Sequence, residues 1–210
     1  MEFVVNEHQL FSTVVRGRVP PGSRPTAIAV SETFLAVAWA RDDPVVLLWR
    51  VGEREPLELE AHASAVTAMA ALDCAGGADG AARALLCSAS REGVATWALE
   101  HPCEPGLEPL PGWAARWERS DADPEFAVFD DSGLLVALGV GRAVEVVRSS
   151  PGAGDAEGAC FARLEGHRGK VTGAAFAPPR PHLLVSASED RTFKVWDLSL
   201  IHISEPTRPY

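Results

Sequence analysis

The chain has little cysteine, a single tyrosine, no basic excess and no long apolar run, and each shortage removes a class of protein. Its four cysteines, Cys74, Cys87, Cys103 and Cys160, lie far apart, with no CxxC pair and no Cys/His cluster at zinc spacing. Neither a disulfide framework nor a zinc site is expected, and the thiols read as reduced, as in an intracellular protein. The 19 Lys and Arg are outnumbered by 29 Asp and Glu, a formal net charge of −10. That balance disfavours nucleic acid or an anionic membrane as a non-specific partner. No apolar run approaches the ~18 residues of a membrane span, and the opening MEFVVNEHQLF has neither a basic stretch nor an apolar one after it, so no secretory signal is read there. The expectation is a soluble cytoplasmic or nuclear protein. The lone tyrosine, Tyr210, argues against an aromatic cage for a modified peptide. What the chain does have is 47% hydrophobic content over 210 residues, enough for a sizeable core of one or two domains.

That apolar material repeats. Tryptophans end short apolar runs at Trp49 in VVLLWRV, Trp97 in GVATWAL and Trp196 in TFKVWDL, separated by 48 and then 99 residues. Halfway across the longer gap, LLVALGVGRAVEVV (Leu134 to Val147) superimposes without a gap on LLVSASEDRTFKVW (Leu183 to Trp196), with Val147 in the tryptophan position. Inside each unit the apolar residues alternate with period 2 over short runs broken by Gly, Pro or Asp, the pattern of strands and turns. In the last unit VTGAAFA, LLVSAS and TFKVWDL read as three successive strands, the first two joined by Pro178-Pro179-Arg180-Pro181 and the last two by a tight turn at Glu189-Asp190-Arg191. No segment has the length, caps and 3.6-residue period of a helix. Small antiparallel sheets repeated in this way bury their faces only by stacking on one another, as propeller blades do.

The stretch LEGHRGKVTGAAFAPPRPHLLVSASEDRTFKVWDL, with Gly166-His167 near its start and Trp196-Asp197 at its end, closely resembles a WD40 repeat. LEAHASAVTAMA and ALLCSASREGVATWAL form a similar but degenerate unit, with Ala61-His62 and Trp97-Ala98 in the two signature places. The resemblance covers nearly the whole chain to about Leu198. It implies an all-β fold, a partial WD40 β-propeller of about four blades of four-stranded antiparallel sheet, at approximately 20–55, 56–110, 111–155 and 156–198. The tail LSLIHISEPTR reads as the translation of an adapter used in preparing sequencing libraries. Residues 199–210 are therefore expected to be non-native or disordered, the natural chain continuing beyond Asp197.

The resemblance also implies a hydrogen-bonded set of His, Ser, Asp and Trp that braces each blade. In the last unit this maps onto His167, Ser186, Asp190 and Trp196. A turn centred on Arg191 puts Ser186 opposite Trp196, with Ser188 on the same face two residues nearer the turn. The second unit keeps His62, Ser88 and Trp97, but Glu92 stands where Asp190 would be and the turn is one residue shorter, so its network is expected to be incomplete. The third unit has Ala137, Gly139, Gly141 and Val147 in the four positions. The first has Asp43 and Trp49 without a histidine. Ser, His and Asp together invite a catalytic reading, but no strand–turn–helix elbow of GxSxG type presents the serine, and the family assigns the trio a structural role.

Other motifs have plain readings. Gly139-Val140-Gly141 lacks the third glycine and the helix of a dinucleotide loop and reads as a hairpin turn. Gly166 to Lys170 lacks the leading glycine of a phosphate loop. Asp73 to Gly80 lacks EF-hand ligand spacing and reads as an inserted surface loop. Trp113 and Trp117 are spaced like one helical turn; they read as core or strand residues, and would mark a partner contact if exposed. The functional expectation is a non-enzymatic scaffold that docks other proteins or peptides, with no cofactor, metal, nucleic acid, membrane or small-molecule substrate. The rival is a propeller enzyme with several acidic residues lining a central channel. Four blades with two open ends are expected to aggregate or to be poorly soluble.

Overall fold

The computed structural model describes residues 23–40, 44–50, 55–60, 62–74, 83–100, 111–116, 122–149, 160–178 and 180–199. They form four antiparallel sheets. The first holds β1 (Arg24–Val30), β2 (Phe34–Ala40), β3 (Val45–Arg50) and β4 (Leu57–Leu59) in that order. The second holds β5 (Val66–Cys74), β6 (Arg83–Ser90), β7 (Gly93–Glu100) and β8 (Pro111–Arg116). The third runs through β9 (Pro124–Phe129), β10 (Leu135–Val140), β11 (Ala143–Arg148) and β12 (Cys160–Leu164). The fourth has three strands, β13 (Val171–Ala177), β14 (Arg180–Ser188) and β15 (Phe193–Asp197). Among the described residues no helix is long and apolar enough to cross a membrane.

The sheets do not coincide with the units read from the sequence. β4, β8 and β12 each fall just ahead of the next unit's first strand, yet pair antiparallel with the third strand of the preceding sheet. The sequence boundaries at 55, 110 and 155 thus cut off the outermost strand of each sheet. The reason is visible in the residues: Leu57-Glu58-Leu59 is too short to carry a period of its own, and pairing alone assigns it. In the fourth sheet no strand lies beyond β15 among the described residues, and three strands replace the expected four.

Alternation packs the sheets face to face. Ala36, Ala38, Val46 and Leu48 meet Leu86, Ala95, Trp97 and Leu99 between the first and second sheets. Cys87, Ala89 and Val94 meet Val136, Leu138, Val140 and Val147 between the second and third. Ala137, Val144 and Val146 meet Phe176, Leu184 and Leu198 between the third and fourth. Apolar side chains make up most of each interface, and burying each Val or Leu side chain contributes about 1.5–3 kcal/mol. Within the third sheet the Phe126 ring of β9 lies over Gly139 of β10, where a Cβ would sit 2.1 Å from it.

Cys87 is fully enclosed between the second and third sheets, and burial pushes its thiol up from its ordinary range. A thiol that does not ionise does not alkylate. Cys87 is expected to stay unlabelled by iodoacetamide in native buffer and to label fully in denaturant, as read by peptide mapping. Labelling at native rates equal to the denatured ones would mean that the second and third sheets do not pack this way.

Two alignments drawn from the sequence are corrected by the hairpins. In the fourth sheet Ser188 N–H donates to Thr192 O at 3.1 Å and Arg191 N–H to Ser188 O at 3.1 Å, with Arg191 at φ 67°. This three-residue loop, a turn closed by a left-handed residue, centres on Asp190 and not on Arg191. Ser186 consequently faces Lys194, and Trp196 faces Leu184. In the third sheet Val140 pairs with Ala143 across a two-residue turn, Gly141-Arg142. The ungapped superposition of the third unit on the fourth therefore needs a one-residue gap, and Leu138, not Ala137, stands at the Ser186 position. The conclusion for that blade is unchanged, since Leu138 is fully buried and apolar.

Candidate functional site

The fourth sheet brings His167, Ser186, Asp190 and Trp196 together. His167 Nε2 lies 2.8 Å from Ser186 Oγ and its Nδ1 3.1 Å from Asp190 Oδ2. Trp196 Nε1–H donates to Ser186 Oγ at 2.8 Å. With Nδ1–H donating to the carboxylate, Nε2 accepts the serine hydroxyl proton, and Ser186 Oγ in turn accepts the indole N–H. Every polar atom of the chain of bonds is thereby used. Ser186 reaches an indole two residues further along the neighbouring strand because the tryptophan side chain spans the diagonal of the ladder. The rings of His167 and Trp196 meet edge-on, centroids 6.3 Å apart.

Asp190 is anchored from several sides. Its Oδ1 accepts the Thr192 hydroxyl at 2.6 Å and the Thr192 N–H at 2.9 Å, and its Oδ2 accepts the Arg168 N–H at 2.8 Å. The Thr192 hydroxyl first, and the Arg168 N–H next, hold the carboxyl well below the usual carboxylate range. The loop carrying His167 approaches the turn so closely that a Cβ on Gly169 would sit 2.7 Å from Asp190 N. That contact gives the second glycine of Gly166 to Lys170 a structural reason.

The second sheet corrects the expectation of an incomplete network. His62 Nε2 lies 2.9 Å from Ser88 Oγ, and Trp97 Nε1–H donates to the same oxygen at 3.3 Å. The place of the aspartate is taken by Ser90, whose Oγ lies 2.8 Å from His62 Nδ1. Glu92 keeps the other half of the aspartate's work, accepting the Ala63 N–H at 3.2 Å. Splitting one carboxylate's contacts between Ser90 and Glu92 follows from the shorter turn, which moves the acid off the imidazole. The serine at two positions beyond Ser88 was the available signal, since Ser188 occupies the same place in the last unit.

Trp49 is buried beside Val45, Leu47 and Trp39 in an apolar cluster. Trp113 lies on β8 opposite Ala95, which makes its segment a strand and not a helical turn. Asp43 and Trp117 lie outside the described residues, as do 75–80 of the expected surface loop and 200–210 of the tail.

Burial without charge has a consequence for His62. Desolvation lowers its pKa from 6.5 to about 4, against the opposing pull of Glu92. The folded state holds the neutral ring, whereas the unfolded chain takes up a proton below its own 6.5, so stability is complete above that pH and falls as the pH drops towards about 4. The loss over that window is about 3 kcal/mol. In urea unfolding at fixed pH steps, His62→Gln is expected to flatten the slope between these limits; an unchanged slope would mean that His62 takes up no proton on unfolding.

Where the third and fourth sheets meet, a cleft of about 450 Å³ opens beside Gly141, Arg142, Arg163, Glu165 and Gly166. Arg163 Nη1 pairs with Glu145 at 3.0 Å and its Nε with Glu165 at 2.8 Å. Among the described residues no group of three or more His, Cys, Asp or Glu is placed to hold a metal ion.

Comparison with known proteins places this geometry. Residues 158–197 match the family model of the WD domain, G-beta repeat. A 50-residue stretch is 36% identical to Polycomb protein EED of Chaetomium thermophilum, covering 24% of this chain and 9% of that protein's length. Among solved structures, the computationally designed Ika4 protein superimposes with a TM-score of 0.58 at 18% identity, over 89% of this chain and 99% of that one. The WD40 β-propeller domain of Doa1 superimposes with a TM-score of 0.51 at 16% identity, over 84% of this chain and 52% of that one. Those two likenesses speak for the fold. Residues 158–197 thus carry a WD repeat, and with three companion sheets stacked on the same plan the chain has the fold of a β-propeller.

Proposed function

We propose that the chain is a non-enzymatic scaffold that docks other proteins or peptides on the loops and faces of its propeller. WD40 propellers generally serve as protein-interaction platforms, and a ring of loops on a rigid frame leaves loop side chains to choose the partner. One observation supports the reading most. The serine and histidine that could do chemistry are engaged within the fold, with Ser186 Oγ shared between His167 and Trp196 and the His167 side chain fully enclosed. Such a trio braces a polar loop whose burial would otherwise leave orphans costing about 1–3 kcal/mol each.

The rival needs several free carboxylates on the strands nearest the axis. β1, β5, β9 and β13, the first strands of their sheets, carry only Asp73 and Glu125. Asp73 accepts the Glu32 N–H at 2.8 Å, and Glu125 pairs with Lys170 at 2.6 Å. The order and wording of the four units resemble WD repeat-containing protein 27, and we align the chain with that member. The cleft beside Arg142 is the docking place we favour, with the adapter-like tail playing no part. Affinity purification with the wild-type chain and with Arg142→Glu tests this: a reproducible set of proteins retained by the first and lost by the second is expected. Identical recoveries from both would overturn the assignment of the cleft, and recoveries matching those of an unrelated propeller would overturn the scaffold itself.

A further inference from the structure

We propose that the cleft between the third and fourth sheets receives an acidic side chain from a partner peptide, its carboxylate met by Arg142. The inference rests on the docking role proposed above and names the chemistry of the ligand. Turns at equivalent places show how Arg142 comes to be available. In the second sheet Ser90 pairs with Gly93 across Arg91-Glu92, and in the third Val140 pairs with Ala143 across Gly141-Arg142, so Arg142 stands where Glu92 does. Glu92 reaches the loop entering its own sheet and accepts the Ala63 N–H at 3.2 Å. Asp190, in the turn of the fourth sheet, accepts the Arg168 N–H at 2.8 Å in the same way. Arg142 cannot take over that work, since a guanidinium carries donors and no acceptor. The segment 117–123 leading into β9 also has no histidine to be held. The third turn is thereby released from bracing the fold.

Other basic side chains at this end of the sheets are already committed. Arg91 pairs with Asp123 at 3.0 Å and Lys170 with Glu125 at 2.6 Å. Arg163 lies between Glu145 at 3.0 Å and Glu165 at 2.8 Å. Arg142 is exposed and has no ion pair among the described residues. In a chain with 29 acidic residues against 19 Lys and Arg, an arginine left without a carboxylate beside a cleft of about 450 Å³ is matched by an acid brought from outside. Gly141, at φ 57°, closes the turn in the left-handed region, so the backbone of Arg142 is fixed before any ligand arrives.

The same cleft discriminates among anions. The charge of Arg163 is answered twice, and Glu165, 70% exposed, remains at the cleft as a negative neighbour. A polyanion such as a nucleic-acid backbone meets that repulsion along its length. A single carboxylate faces Arg142 alone, in the forked pairing that a guanidinium makes best. Ala122, Val140 and Ala143 on the lining offer apolar contact to the stem of the acid and to its neighbours in the peptide.

An array of random, end-blocked short peptides probed with the whole chain tests this. The wild type is expected to select peptides with an Asp or Glu at one place, and exchanging that acid for its amide is expected to weaken binding about tenfold. Arg142→Glu is expected to invert the choice to Lys or Arg. Arg180→Glu makes the same charge change at an exposed site at the other end of β14, and is expected to leave the selection as it was. Selection of apolar or basic peptides by the wild type, no selection at all, or an acidic preference that survives Arg142→Glu overturns the proposal. The scaffold role fails separately, when affinity purification recovers nothing that an unrelated propeller does not.

Discussion

Ser186→Ala is expected to destabilise the fold by about 2–4 kcal/mol, because one deletion strands both the buried His167 imidazole and the part-buried Trp196 indole. The Trp196 indole N–H loses its acceptor at 2.8 Å and His167 Nε2 loses its hydroxyl partner at 2.8 Å. Each stranded group costs about 1–3 kcal/mol. A double-mutant cycle separates the contributions. In a Trp196→Phe background no indole N–H remains, so adding Ser186→Ala should cost roughly 1 kcal/mol less than in the wild type. The measurement is urea unfolding at one fixed protein concentration, since association would otherwise enter the midpoint. Unaltered stability in Ser186→Ala would show that the trio does not brace the blade and would return the serine to chemistry.

Leu86→Ala is expected to cost about 2–5 kcal/mol, the range for emptying a packed leucine site. Leu86 is fully buried at the junction of the first two sheets, paired with Trp97 and enclosed with Phe34, Ala36 and Leu48. Strand backbones on both sides cannot collapse into the void, which argues for the upper part of the range. Leu86→Met keeps the volume and should cost under about 1.5 kcal/mol. Equal losses for both would mean that shape at this junction, and not the apolar contact itself, controls stability.

Much of this architecture is legible in the sequence, and the exceptions have specific causes. The tryptophan spacing gives the repeat, and the period-2 runs give the second and third strands of each sheet, because their alternation is long enough to see. Leu57–Leu59 is not, and only its pairing with Val46 to Leu48 reveals which sheet owns it. The partners of His167 are readable one by one. Their register is not, because Arg191 in the left-handed region shifts the centre of the turn by one residue and so moves every cross-strand pair by two. Ser90 escaped for a related reason: a hairpin shortened by one residue hands the imidazole to a different side chain, one that stands at the same spacing as Ser188 in the last unit.

The staggering of sequence units against sheets governs where this polypeptide can be cut. Removing residues 156–198 as though they were one module would also strip Cys160–Leu164 from the sheet before it and bare the whole length of Ala143–Arg148. Every junction between units is a clasp, one unit holding the rim of its predecessor, so a protease nick or a splice boundary placed there damages two sheets at once. Excisions tolerated by the fold belong instead between an outermost strand and the histidine loop that follows it, and those are the places where related chains of different length should be found to gain or lose a blade.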